Sequence, residues 1–221
     1  MIEVWRGGQR YAGGDPAGGI ETLHAFSFGS HYDPDNLRFG PLLACNEERL
    51  APGAGFAEHP HRAVEIVTWV IEGELGHRDS AGHGTVVRAG EVQLLSAGDG
   101  VRHVERNAGD VPLRFLQMWL EPAVSGGEPR YAIETTERGT RFVPERQPHA
   151  TLVVGRGTMA LPDAPFLYIH VVRGSVRLGT ESLGEGDAAR VTGAEGLRAE
   201  ADGPVEYLVW EMRPSPRAEQ G

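Results

Sequence analysis

Residues 59–75 read HPHRAVEIVTWVIEGEL, and residues 101–107 read VRHVERN. His59 and His61 stand two apart, as do His103 and Glu105. Side chains at i and i+2 of a strand point to one face. Two such pairs on neighbouring strands would gather four metal-binding groups around one point. The β-branched run from Val64 to Ile71 between them favours strand over helix.

Outward from this stretch the pattern continues. Leu75–Ser80, Gly82–Val87, Val92–Ser96, Val101–Arg106 and Leu113–Leu120 are short strand-like segments. The turns between them carry glycine, as in EGE at 72–74, AGDG at 97–100 and NAGD at 107–110. Upstream, Leu42–Cys45 reads as a buried strand and residues 21–28 as a looser one, while residues 1–20 carry no clear signal. No segment has useful helical periodicity. Short strands at this spacing predict an all-β fold, a sandwich or barrel.

The second half echoes the first. Phe166–Val176 matches Glu65–Leu75, Leu183–Asp187 matches Val87–Glu91, and Val205–Met212 matches Leu113–Leu120. Two tandem β-barrels are the expectation. The polar, glycine- and proline-rich EPAVSGGEPR at 121–130 marks the boundary, giving domains 1–122 and 123–221. With Gly73 set against Gly174, His59 and His61 fall near Ala160 and Pro162. With Gly90 set against Gly186, His103 and Glu105 fall at Ala199 and Ala201. The second copy therefore lacks the four groups, which points to a site confined to the first.

Composition narrows the function. The 221 residues carry 31 acidic and 21 basic side chains, net −10, and every basic charge is arginine. Such a balance disfavours nonspecific binding to nucleic acid, which wants excess positive charge. Cys45 is the single cysteine, so no disulfide forms within the chain, and apolar company makes it a core residue. No apolar run reaches the ~18–20 residues that span a bilayer, and no secretory leader pattern opens the chain. A soluble cytoplasmic protein, with a monomer allowed, is expected.

Three imidazoles and a carboxylate suit Fe, Ni, Cu, Mn or Zn. Glu65, four residues after His61, shares its parity and competes with Glu105 as the carboxylate; spacing leaves both open. His77 and His83, near a hairpin tip, read as exposed loop histidines. His24 and His31 either line the site mouth or do nothing, and Gln117 and Met118 read as core or cavity wall.

These motifs resemble the metal-site half of pirin-like proteins, which are bicupins. The resemblance rests on Gly55-Phe56, HPHRAVEIVTWVIEGEL, Arg78-Asp79-Ser80, GEVQLLSAGDGVRHVERN and Leu116–Trp119, with Asn46-Glu47 and Phe26-Ser27-Phe28 also fitting. It is strong from about residue 20 to 122 and thin afterwards. The broader cupin pattern places Gly53, His59, His61, Glu65 and Gly73 in its first motif and Gly90, Gly98, Gly100, His103 and Asn107 in its second. Many cupins use the carboxylate at the position of Glu65, whereas the pirin-like family uses the one at Glu105. The resemblance therefore implies ligation by His59, His61, His103 and Glu105, with Glu65 as an orienting or cavity residue. Trp69, Cys45 and Leu94-Leu95 depart from the family's usual residues without removing a ligand.

The resemblance further implies one divalent metal, Fe(II) first, with Ni, Cu, Mn, Co or Zn as alternatives. It implies a quercetin 2,3-dioxygenase-like reaction on dioxygen and a flavonol-like aromatic, with Glu105 as the catalytic base. Two other readings follow from the same kinship: an iron-binding regulatory, partner-binding protein without catalysis, and an oxygenase for another metabolite.

Overall fold

The computed structural model describes residues 1–135 and 140–214. Residues 136–139 and 215–221 lie outside the described part, and with them the end of the expected second domain. The strands of the first half are β1 (Ile2–Trp5), β2 (Tyr11–Asp15), β3 (Ile20–His24), β4 (Leu42–Leu50), β5 (Gly55–His61), β6 (Glu65–Glu72), β7 (Glu74–Asp79), β8 (Gly84–Arg88), β9 (Glu91–Ser96), β10 (Val101–Asn107) and β11 (Leu113–Leu120). Those of the second half are β12 (Arg130–Thr135), β13 (Arg141–Phe142), β14 (Ala150–Gly155), β15 (Met159–Ala160), β16 (Ala164–Arg173), β17 (Ser175–Leu178), β18 (Glu181–Gly184), β19 (Ala188–Ala194), β20 (Arg198–Glu200) and β21 (Glu206–Met212).

They form two cupin-type units, each a large and a small sheet. The first unit has the order β12-β9-β6-β11-β4-β3-β2 with β5-β10-β7-β8; the second has β1-β19-β16-β21-β14-β13 with β15-β20-β17-β18. The turns used to align the halves are equivalent. Gly73 (φ +80°) and Gly174 (φ +76°) both take the left-handed conformation, and a Cβ at either would run into a proline carbonyl, Pro112 or Pro204.

The sheets divide the chain differently from a cut at 122/123. β1 pairs with β19 of the second unit, and β12 pairs with β9 of the first. Each large sheet is thus finished by a strand from the other half of the sequence, which covers an edge that would otherwise be exposed.

The central strands are buried on both faces, which is why they read as continuous apolar runs. In β11, Leu113 and Phe115 pack inside the first unit, while Leu116, Met118 and Leu120 face the second. There they meet Tyr168, Leu208, Trp210 and Met212, so the two large sheets share one apolar core. The interiors differ. The second is lined throughout by Leu167, Ile169, Val171, Leu183, Val209 and similar residues. The first has apolar clusters around Phe115 and around Leu95, with buried Thr22, Asn46, Glu48, Thr68, Gln93, Gln117 and Glu105 besides.

Candidate metal centre

β10 lies between β5 and β7 and brings the candidate groups together. His103 pairs with His59 on one side and Asp79 on the other; Glu105 pairs with Phe56 and His77. Between these two rows β5 carries an extra residue, a bulge that re-aims His59 relative to Phe56. The rings of His59, His61 and His103 form a nearly equilateral triangle with centres 4.5, 4.8 and 4.8 Å apart. Each pair is steeply inclined, at 61–79°.

The donor atoms fit a metal ion. His59 Nδ1 faces the Ala57 carbonyl at 2.8 Å and donates to it, leaving Nε2 for a second partner. That Nε2 lies 2.9 Å from His103 Nε2. Two nitrogens bound at right angles to one ion at about 2.1 Å each would stand about 3.0 Å apart. His61 Nε2 is buried without a hydrogen-bond partner. Burial, with His103 and His59 nearby, pushes His61 down to about 4, and burial likewise lowers His103. Neutral imidazole is the ligating form.

Glu105 is buried beside this triangle. His77, His103 and Glu105 make a second potential metal-binding group that shares His103 with the first. The Glu105 oxygens accept hydrogen bonds from Gln93 Nε2 and Gln117 Nε2, each at 2.8 Å. The two amides are themselves oriented, since Tyr131 donates to Gln93 Oε1 and the Trp119 indole to Gln117 Oε1. Burial pushes the carboxyl up, but His77, His103 and the two amides outweigh it and hold Glu105 at about 2.

Several expectations need correction. Glu65 does not enter the interior. Ala63 takes a left-handed turn (φ +50°) between His61 and β6, so the strand parity does not carry across. Glu65 accepts instead from Ser96 Oγ and the Arg146 backbone N–H. His77 is buried, not a loop residue: Nε2 lies 3.1 Å from Asp79, and the ring stacks on Tyr131. His83 also stacks on Tyr131 and contacts Asp79 at 2.9 Å. Gln117 is a partner of Glu105 rather than plain wall. His24 is buried, bonded to Asn46 and stacked on Phe28, which meets Trp119 edge-on; Trp119 in turn meets His61. His31 stacks on Tyr11 and contacts the Ala12 carbonyl. In the second unit, Met159 pairs with Ala199, and Ala199 also faces Leu178, the counterpart of His77, so Ala199 holds the row of Glu105, two residues from where the repeat alignment set it, and offers no metal-binding group.

The sequence pattern of the pirin family matches residues 8–120, and that of the quercetinase C-terminal cupin domain matches residues 156–212. The chain belongs to the pirin family. This pirin is 38% identical over 215 residues to a Mycobacterium tuberculosis protein named as a candidate quercetin 2,3-dioxygenase, covering 87% of this chain and 88% of that one. It is 30% identical to a quercetin 2,3-dioxygenase of Escherichia coli, covering 89% and 93%. The solved structure of the bacterial pirin YhhW from Escherichia coli, in complex with nickel(II), superposes with a TM-score of 0.89 at 28% identity, over 97% of this chain and 100% of that one. No helix among the described residues is long and apolar enough to cross a membrane. Family membership and the histidine–carboxylate cluster support a metal-dependent dioxygenase of this family, the ion a divalent metal.

Proposed function

We propose that this pirin is a quercetin 2,3-dioxygenase that opens the heterocyclic ring of a flavonol and releases carbon monoxide. The observation that carries the reading is the imidazole triangle, with ring centres 4.5–4.8 Å apart, next to a buried, amide-held carboxylate. His59, His61, His103 and Glu105 are the ligands in this reading, and iron(II) is the first choice of ion, with nickel next. The bound ion would supply Lewis acidity and an electronic route between flavonol and dioxygen.

The side chains do the rest. Glu105 takes the proton of the flavonol 3-hydroxyl on a carboxylate oxygen. The amides of Gln93 and Gln117 hold the carboxylate in place, one on each oxygen, and leave a lone pair to meet the hydroxyl. Trp119 and Phe28, in edge contact beside His61, offer flat apolar surface for an aromatic substrate. The relatives named for quercetin cleavage favour the same substrate class.

The test is aerobic incubation of iron-loaded protein with quercetin, following carbon monoxide and the ring-opened ester. Glu105→Gln should lose turnover. Cleavage at full rate in metal-stripped protein, or none in protein loaded with iron or nickel, would overturn the proposal.

A further inference from the structure

Among the described residues, the buried side-chain atoms without a hydrogen-bond partner fall in two places. His61, His77 and His103 belong to the metal cluster. The others, Trp5 Nε1, the Tyr168 hydroxyl, His170 Nδ1 and Arg190 Nε, belong to residues lining one crevice over strands β1, β19 and β16 of the second large sheet, closed on its other side by Gln9, Arg10 and Ala25. It lies on the second unit, on strands that contribute nothing to the histidine triangle.

The ladder register explains the hollow. Trp5, Ala188 and His170 stand abreast on β1, β19 and β16, and Glu3, Arg190 and Tyr168 stand abreast in the adjoining row. Ala188 is the small member between two large rings, so space opens above it. Arg10 lines the crevice as well.

The charges around it are unbalanced. Arg6 pairs with Asp187 and Arg10 with Glu47, each at 2.8 Å. Arg190 has no carboxylate within ion-pair distance among the described residues, although it is 6% exposed. Its guanidinium stacks on Trp5 and Phe26, 4.4 Å from each ring centre, and donates to Asn36 Oδ1. Its cross-strand neighbour Glu3 is exposed and makes no ion pair with it. The Tyr168 hydroxyl lies beside the Cys45 thiol, with Arg190 and Arg10 near it. A buried charge without a counter-charge is costly.

We propose that this crevice binds a single anion of halide size, chloride in ordinary buffers, at the N–H edges of Trp5 and Arg190. The indole N–H and the guanidinium Nε–H can only donate, so whatever satisfies them must accept. The space open to a water-sized centre is about 10 Å³, room for one atom. An anion held wholly inside it is therefore monatomic. His170 is neutral, since burial and Arg10 push it down to about 3, and in one tautomer its Nδ1–H adds a third donor. A water molecule would fill the same space but leave the buried Arg190 charge with only the exposed Glu3 carboxylate across the strand pair to balance it.

Crystals of the full chain grown with bromide in place of chloride test this by anomalous scattering. A bromide peak in the crevice, in contact with Trp5 Nε1, is the expected result; an ordered water there without anomalous signal would overturn the proposal. In solution, the thermal midpoint should rise when chloride replaces gluconate at fixed ionic strength. Trp5→Phe keeps a ring over Arg190 but removes the donor, and Ala188→Leu fills the hollow; both should abolish the chloride effect. A chloride effect that survives in both variants would equally count against the site.

Discussion

His77 faces Glu105 across the β7–β10 ladder, with Nδ1 4.0 Å from Oε1, while its Nε2 lies 3.1 Å from Asp79. The ring thus bridges two buried carboxylates. Burial disfavours its charged form, but Glu105 and Asp79 outweigh burial and raise His77 above the ordinary histidine value. A ring held between the two in this way fixes the direction of the Glu105 carboxylate.

The first prediction follows from that bridge. His77→Ala should weaken metal retention by roughly tenfold to a hundredfold, the usual cost of losing a group that orients a ligand. Competition with a chelator measures it, and circular dichroism checks that the strands persist. Metal affinity equal to wild type would mean that His77 does not act through Glu105.

Glu47 concerns stability rather than chemistry. It is buried and meets Arg10 at 2.8 Å, Arg49 at 2.9 Å and Arg114 at 2.7 Å. Burial pushes its carboxyl up, but Arg114 and Arg10 dominate and hold it at about 2. Glu47→Gln leaves the largely buried Arg10 without a counter-charge and Arg114 with Glu185 alone, and should cost about 3 kcal/mol in urea unfolding. The folded value lies below the ordinary 4.5, so the wild-type contribution is complete above 4.5 and is lost as pH falls toward about 2. The variant should show a smaller stability loss across that acid range.

The same neighbourhood shows what a sequence reveals and what it hides. β11 was legible from end to end because both of its faces are apolar. β4 was legible only to Cys45, yet it runs to Leu50. Its second half, Asn46 to Arg49, is polar because these residues serve the polar interior and the arginine cluster, and no local pattern announces that. His59, His61, His103 and Glu105 stood out by spacing. His77 did not, since its burial depends on Tyr131, which arrives on β12 from beyond the apparent domain boundary. The misplacement of Glu65 has a local cause, the left-handed Ala63, which alanine gives no reason to expect.

Glu48 should give the protein a stability that declines with rising pH. Burial pushes its carboxyl up to about 8, against the hydrogen bond from Thr22, and Glu105 and Glu47 add to the rise. Between 4.5 and about 8 the unfolded chain releases a proton that the folded chain keeps. This group's contribution is therefore complete below 4.5 and falls by up to about 1.4 kcal/mol per pH unit through that window. Glu48→Gln retains an acceptor for Thr22 and has no proton to lose. Urea midpoints at both ends of the window should differ less in the variant, and at the alkaline end the variant should be the more stable. Parallel pH profiles would sink this account.

Cys45 reports on whether the two units come apart. Its thiol is 1% exposed in the core shared by the two large sheets, and burial pushes it up to about 12. A thiol so placed has neither the access nor the thiolate fraction to react in the native state. Reaction with a disulfide reagent therefore requires the seam to open. That seam contains Trp69, Met118, Tyr168 and Trp210, with the Trp210 indole donating to Met118 Sδ at 3.1 Å. It is closed further by the strands exchanged at either edge, β1 and β12. A large apolar interface reinforced by shared strands should melt with its units, not before them. In a urea series, Cys45 labelling and the loss of β-sheet signal should then share one midpoint. Labelling complete at lower urea, with the sheet signal intact, would show that the units separate while still folded.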